Sequence, residues 1–254
     1  MEKRVCLISG GAGGIGAWCA LEFSRRGWTV AASFYGDENP HATQELLTRE
    51  LGEDAPEILP VLLNVVEDDS CRDAADTVIR KFGRIDALIN CAGTTRFVPH
   101  GNLDDLSGDE FRRVYDVNLI GAFQLTRACA TALRESGRGS IVNISSIAGL
   151  RGSGSSLAYA ASKGALNSMT LSMARNLAPH VRVNAIAPGF VDGGLPARVL
   201  PADRYEETVA AQRASAPLRR VSEAKEIAEM AWFISERTPG MTGHVSVIDN
   251  GLLL

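Results

Sequence analysis

The chain has few residues of the kinds that metal sites and disulfide frameworks need. Its 254 residues include four histidines (His41, His100, His180, His244), each isolated in sequence, so no zinc-ligand spacing exists. Its five cysteines (Cys6, Cys19, Cys71, Cys91, Cys129) are scattered and show no Cys-x-x-Cys pair. An odd, unpatterned set of thiols without a secretion leader is expected to stay reduced in a cytoplasm. The apolar run in MEKRVCLISGG is too short for a signal peptide and is needed as a strand. Nowhere does an apolar run approach the roughly 20 residues of a membrane span. There is also no basic block: 26 Lys and Arg against 30 Asp and Glu leave a net charge of −4, which argues against nucleic acid or an anionic membrane as partner. Hydrophobic residues, by contrast, make up 45% of the chain, enough for one large core and one domain over 1–254.

The stretch SIVNISSIAGLRGSGSSLAYAASKG, from Ser140, organises the reading. Ile141, Val142 and Ile144 form a short buried-strand run that ends at Ser145 and Ser146. A Gly/Ser-rich loop follows, then a helix carrying Tyr159 and Lys163. Residues i and i+4 share one helical face, so phenol and ammonium project together. A phenol has a pKa of about 10, and a fixed cation beside it favours the phenolate. With a strand-end serine to hydrogen-bond a substrate oxygen, the chemistry is proton transfer to or from an alcohol or carbonyl.

A second signal lies at the start. RVCLI reads as a strand, SGGAGGIG follows from Ser9 to Gly16, and a helix runs on to Gly27. Glycines 10, 11, 13 and 14 allow a sharp turn and close approach to a pyrophosphate, and Gly16 allows the helix to pack on the strand. The free N–H groups at the helix start favour negative charge. Strand-like runs at 28–34, 58–63, 85–93, 181–189 and 244–249 then alternate with helical stretches, including a long one over about 109–135 that holds Asn118. The alternation predicts an α/β fold: a doubly wound parallel sheet, Rossmann-like, in three layers α/β/α. In such a fold ligands sit beyond the carboxyl ends of the strands, where Gly10–Gly16, Asn64, Asn90–Gly93, Ser146 and Pro188–Gly189 all fall.

On these motifs the sequence resembles the short-chain dehydrogenase/reductase family over essentially its whole length. SGGAGGIG is similar to the family's TGxxxGIG, with Ser9 for Thr. NCAG at 90–93 is similar to NNAG. Ser146 precedes Tyr159 by 13 residues, the family interval; Tyr159 and Lys163 form YxxxK; and APGFV at 187–191 matches the segment flanking the nicotinamide. The resemblance implies Tyr159 as general acid/base, Lys163 as the cation that lowers the phenol pKa and binds the ribose, Ser146 as the positioner of the substrate oxygen, and Asn118 as holder of a water in a proton relay. It further implies cofactor contacts from Gly10, Gly11, Ala12, Gly13, Gly14, Ile15, Asn64, Val65, Asn90, Ala92, Gly93, Pro188, Gly189 and Val191, besides Tyr159 and Lys163. Asn90 reads rather as a brace between strands.

The implied activity is NAD(P)-dependent interconversion of a ketone and a secondary alcohol, similar to 3-oxoacyl-thioester reductases and to sugar or polyol dehydrogenases. Two other readings share the fold: a non-catalytic dinucleotide-binding regulator and a redox-neutral lyase or epimerase. The family's NAD-selecting aspartate would fall at Phe34, no arginine occurs at 34–36, and Gly13 stands where many NADP-preferring relatives carry a basic residue. Ser33 and the Tyr35 hydroxyl can bond a phosphate, while Asp37 and Glu38 oppose it or reach the ribose. The absent carboxylate at position 34 favours NADP, with NAD as the alternative. Gly193 occupies the place of a common threonine, so the substrate loop is expected to be looser. Val117, Leu119, Ala122, Phe123, Leu166, Met169, Leu171 and Met173 suggest apolar helix faces that pair between copies, hence a homotetramer with no partner beyond a small carbonyl or alcohol substrate.

Overall fold

The computed structural model describes residues 3–254. Seven parallel strands form one sheet: β1 (Val5–Ser9), β2 (Thr29–Phe34), β3 (Ile58–Leu62), β4 (Ala87–Asn90), β5 (Gly139–Ile144), β6 (Val181–Pro188) and β7 (Val245–Ile248). Their order across the sheet is β3-β2-β1-β4-β5-β6-β7. The chain winds outward in one direction from β1 to β3 and in the other from β4 to β7. The switch point therefore lies between β1 and β4, where a crevice opens at the strand ends.

The period-2 alternation of each strand sorts its residues into two cores. Cys6, Ile8, Val30, Ala32, Ile89 and Val142 face one side, covered by helix α1 (Gly14–Arg25), α2 (Ala42–Leu51) and α10 (Ala224–Arg237). Leu7, Ala31, Leu88, Ile141 and Val183 face the other, covered by α3 (Asp68–Phe82), α5 (Ala122–Glu135) and α7 (Leu157–Leu177). Helix α3 shows why its segment is helical. Asp68 and Asp69 open it, Arg80 and Lys81 close it, and Gly83 ends it with a left-handed φ of 77°.

Two elements differ from the sequence expectation. The strand expected over 85–93 is paired only to Asn90, because the N–H groups of Cys91 and Ala92 leave the ladder and donate to the Ser9 hydroxyl, each at 3.1 Å. The long helix is interrupted as well. Helix α4 (Gly108–Tyr115) passes into a wide π turn, Asp116–Gly121, before α5 begins. Asn118 sits in that turn, a helical irregularity that recurs at functional sites. The segment after β6 folds as two helices, α8 (Gly194–Val199) and α9 (Ala202–Ser215).

Candidate active site

A cleft of about 950 Å³ opens at the carboxyl ends of the strands and is lined by residues from nearly every expected motif. Gly10, Gly13, Gly14, Ile15, Asn64, Val65, Ala92, Gly93, Pro188, Gly189 and Val191 all line it, as do Ser33 and Tyr35 from the end of β2. Gly11, Ala12, Asn90 and Asn118 do not line it.

The glycine loop is shaped by close contacts. A methyl at Gly16 would lie 2.1 Å from the Gly10 carbonyl oxygen, and one at Gly11 would lie 2.7 Å from Cβ of Ala32. Gly11 thus packs tightly against β2 and does not line the cleft. Gly13, at the start of α1, has open space around its missing side chain, and no side chain caps that helix or places an acid in its first turn. The uncapped N–H groups and the open cleft fit an anionic group such as a pyrophosphate.

Ser146, Tyr159 and Lys163 come together in the cleft. Ser156 caps α7, its hydroxyl accepting from the Tyr159 N–H at 3.2 Å, which places Tyr159 in the first turn and Lys163 one turn on. A short helix, α6 (Ala148–Arg151), presses on α7 so closely that a methyl at Gly149 would lie 2.5 Å from the Gly164 nitrogen. That contact fixes the strand-end serine relative to the tyrosine. The Ser146 hydroxyl accepts from the Ala148 N–H at 3.1 Å and lies near enough to the phenol to favour its ionised form. Ser145 instead turns inward, its hydroxyl 2.6 Å from Oδ1 of Asn167. Both serines border the cleft, but Ser145 is only 3% exposed and its hydroxyl is committed to Asn167.

The electrostatics differ from the sequence expectation. Burial raises the Tyr159 pKa to about 12, opposed by the neighbouring Ser146 hydroxyl. Burial also lowers the Lys163 pKa to about 8. The Lys163 ammonium donates to the Ile144 carbonyl at 2.8 Å and lies 5.7 Å from the centre of the Tyr159 ring. Desolvation of the phenol sets the direction in this geometry, opposite to the expected lowering.

Asn118 is buried and fully engaged. Its Oδ1 accepts from the Thr94 N–H at 2.8 Å, and its Nδ2 donates to the Thr94 carbonyl and the Ser162 hydroxyl, both at 3.0 Å. Its amide therefore braces the turn after β4 rather than pointing into the cleft. A methyl at Gly93 would meet Oδ1 of Asn118 at 3.5 Å and the Lys163 ammonium at 3.8 Å, so the turn runs between the two side chains. Asn90 donates to Oδ1 of Asn143 at 2.8 Å and to the Thr126 hydroxyl at 3.1 Å, a scaffold role as expected. Ser33 is only 3% exposed, and its hydroxyl accepts from the Gly10 N–H at 3.0 Å, so it ties the glycine loop to β2 before it can serve a phosphate.

Sequence reasoning missed Ser9, Thr94, Gly149, Ser162 and Tyr205. All act through contacts distant in sequence, and only the small-residue pairing of Gly149 with Gly164 left a faint signal. Tyr205 donates to the Asp192 carboxylate and accepts from the Gly193 N–H. The loop expected to be loose at Gly193 is thus tied to α9.

Comparison with known proteins decides the family. A family model described as enoyl-(acyl carrier protein) reductase matches residues 10–253. The chain is 35% identical to the 3-oxoacyl-[acyl-carrier-protein] reductase FabG of Thermotoga maritima, covering 100% of this chain and 99% of that protein. The chain belongs to the short-chain dehydrogenase/reductase family. It is accordingly an oxidoreductase by descent. It is also 32% identical to a cyclopentanol dehydrogenase of Comamonas testosteroni, over 99% of this chain and 97% of that one. Among solved structures, a short-chain dehydrogenase/reductase from Burkholderia xenovorans is 49% identical and superposes with a TM-score of 0.90, covering 100% of this chain and 99% of the other. Among the described residues there is no cluster of metal-ligating side chains, and no helix is long and apolar enough to cross a membrane.

Proposed function

We propose that the chain interconverts a ketone and a secondary alcohol using NADP(H), with a 3-oxoacyl-like substrate in first place. The observation that carries this reading is that Ser146, Tyr159 and Lys163 line the same cleft as an uncapped, glycine-rich helix start. Bound nicotinamide supplies or accepts the hydride. Tyr159 gives its phenolic proton to the substrate oxygen in reduction and takes it back in oxidation. Ser146 holds that oxygen within reach, and Lys163, as the buried ammonium, sustains positive charge beside the phenol. Asn118 contributes by fixing the turn at Thr94, which keeps Gly93 against Lys163.

The cleft beyond the catalytic pair is walled by Phe97, Phe190, Leu195, Leu200 and Leu252, which suits an acyl chain or a ring better than a polyol. The names of the curated relatives, acyl-carrier reductases and a cyclic-alcohol dehydrogenase, support the same class. Phe34 at the ribose end, and Asp37 outside the cleft lining, favour NADP(H). Five unpaired thiols fit a reducing, cytoplasmic setting. The test is nicotinamide absorbance with a panel of 3-oxoacyl thioesters, cyclic ketones and an enoyl thioester. Tyr159→Phe should retain fold and dinucleotide binding while turnover falls about 10²–10⁴-fold. Near-normal kcat in that variant would overturn the assignment, and absence of any absorbance change would favour a binding or redox-neutral protein.

We also propose a homotetramer. A shallow apolar hollow lies between α5 and α7, lined by Leu119, Ile120, Phe123 and Met169, with Ile120 and Phe123 each more than 40% exposed. Of the residues expected on this face, Ala122 and Leu166 are buried, and Val117 and Met173 pack against the second core. These four face inward, so the exposed face is narrower than the sequence implied. Light scattering at micromolar concentration decides it, and a monomer would refute the proposal.

A further inference from the structure

The ribose end of the cleft carries no cation within its own segment: positions 34–36 are Phe, Tyr and Gly, and Gly13 occupies the loop. The fold brings one from far along the chain. Nη1 of Arg198, on α8, lies 3.6 Å from Oε1 of Glu38, and both residues line the cleft. Glu38 is anchored independently, its Oε2 accepting from the Tyr35 N–H at 2.9 Å just past the end of β2. In a doubly wound sheet that strand end is where the adenosine ribose lies.

The path of α8 explains how Arg198 arrives there. Its first residue, Gly194, abuts the first residue of α1: a methyl on Gly14 would lie 3.2 Å from Cα of Gly194. The helix therefore starts over the anion-binding turn. Gly194 and Arg198 are four residues apart and share a face, so Arg198 borders the cleft on the side of the anion-binding turn. Its charge is felt at the Cys91 thiol on the cleft wall, where it opposes the rise that burial causes.

The ion pair is an exchangeable one. Its N–O distance is long for a hydrogen bond, and the Arg198 side chain is 63% exposed. Exposed pairs of this kind contribute little, whereas a phosphate offers Arg two charges and a matching fork of acceptors.

Building on the hydride-transfer reading above, we propose that Arg198 is the cation that receives the 2′-phosphate of NADP(H), and that Glu38 holds it at the ribose end until the phosphate takes its place. Glu38 then acts as the competing anion. Cofactor choice in this chain is set by a contact between the strand-β2 loop and the substrate-side helix, not by a residue within the β2 segment.

The test is binding, independent of turnover. NADPH, NADH, 2′,5′-ADP and 5′-AMP are titrated into wild type, Arg198→Ala, Arg198→Lys and Glu38→Gln, with urea midpoints as a check on folding. Arg198→Ala should weaken NADPH and 2′,5′-ADP about tenfold or more while changing NADH and 5′-AMP less than about twofold. Arg198→Lys should recover part of the loss, because charge is restored without the fork. Glu38→Gln should tighten NADPH, since the amide keeps the Tyr35 bond but no longer competes. Equal weakening of NADPH and NADH would place Arg198 on a group common to both and overturn the proposal, as would no weakening of either. A wild type that binds NADH but not NADPH overturns it and leaves hydride transfer standing. A wild type that binds neither overturns both.

Discussion

Gly16→Ala sets the packing account of the cofactor loop against a number. The added methyl would lie 2.1 Å from the Gly10 oxygen, 2.8 Å from its carbonyl carbon and 3.1 Å from Cα of Gly11. An ordinary carbon–oxygen contact needs about 3.3 Å, so loop and helix must separate by roughly an ångström. Neither side yields freely. Gly10 has a left-handed φ of 65°, its N–H is bonded to Ser33, and a Cβ there would meet the Ala92 backbone at 2.9 Å. Helix α1 is seated through Cys19, Ala20 and Phe23, all fully buried. Overpacking of this kind typically destabilises by about 1–3 kcal/mol, and at this chain length each kcal/mol lowers Tm by roughly 2–4 °C. Gly13→Ala is the control. Its φ of −171° is ordinary extended backbone and nothing lies within 4 Å of the missing Cβ, so only the N-cap preference for glycine over alanine is lost, about 0.5 kcal/mol. Urea and thermal midpoints of both variants are the assay. A Gly16→Ala protein as stable as Gly13→Ala would refute the steric argument.

Further outcomes follow from the site. Lys163 titrates near 8 when folded and at 10.5 when free, so between those values the unfolded chain holds more protons and the lysine's contribution to stability rises with pH; below pH 8 its penalty is constant. The stability difference between wild type and Lys163→Met should therefore shift in favour of wild type as pH rises from 8 to 10.5, and a flat difference by urea titration would rule this out. Tyr159 has the opposite sign: with a folded pKa near 12 against 10, its contribution is complete below pH 10 and is lost as pH rises from 10 to 12, which Tyr159→Phe should abolish. Tyr205→Phe removes the group that joins Asp192 to the Gly193 N–H. Amide exchange over residues 193–199 should accelerate several-fold with the urea midpoint nearly unchanged, and unaltered exchange would show that the tie does not restrain the loop.

Local chemistry made much of this protein legible before any coordinates. Alternating strand and helix runs, the acidic start and basic end of α3, and glycines packed at one turn are properties of short segments, and they point to a doubly wound parallel sheet. The tyrosine and lysine could be paired from spacing alone because a helix puts i and i+4 on one face. What lay outside reach was every quantity set by residues distant in sequence. Burial of Tyr159 against its neighbours reversed the expected direction of its pKa, since desolvation depends on what surrounds a group and not on the residue four places away. Asn118 was expected inside one long helix, yet it lies in the π turn and its amide turns to Thr94 and Ser162, partners that this turn and the packing of α7 bring close. The cation at the ribose end could not be found near β2 because it is supplied by Arg198, carried there when Gly194 comes to rest on Gly14.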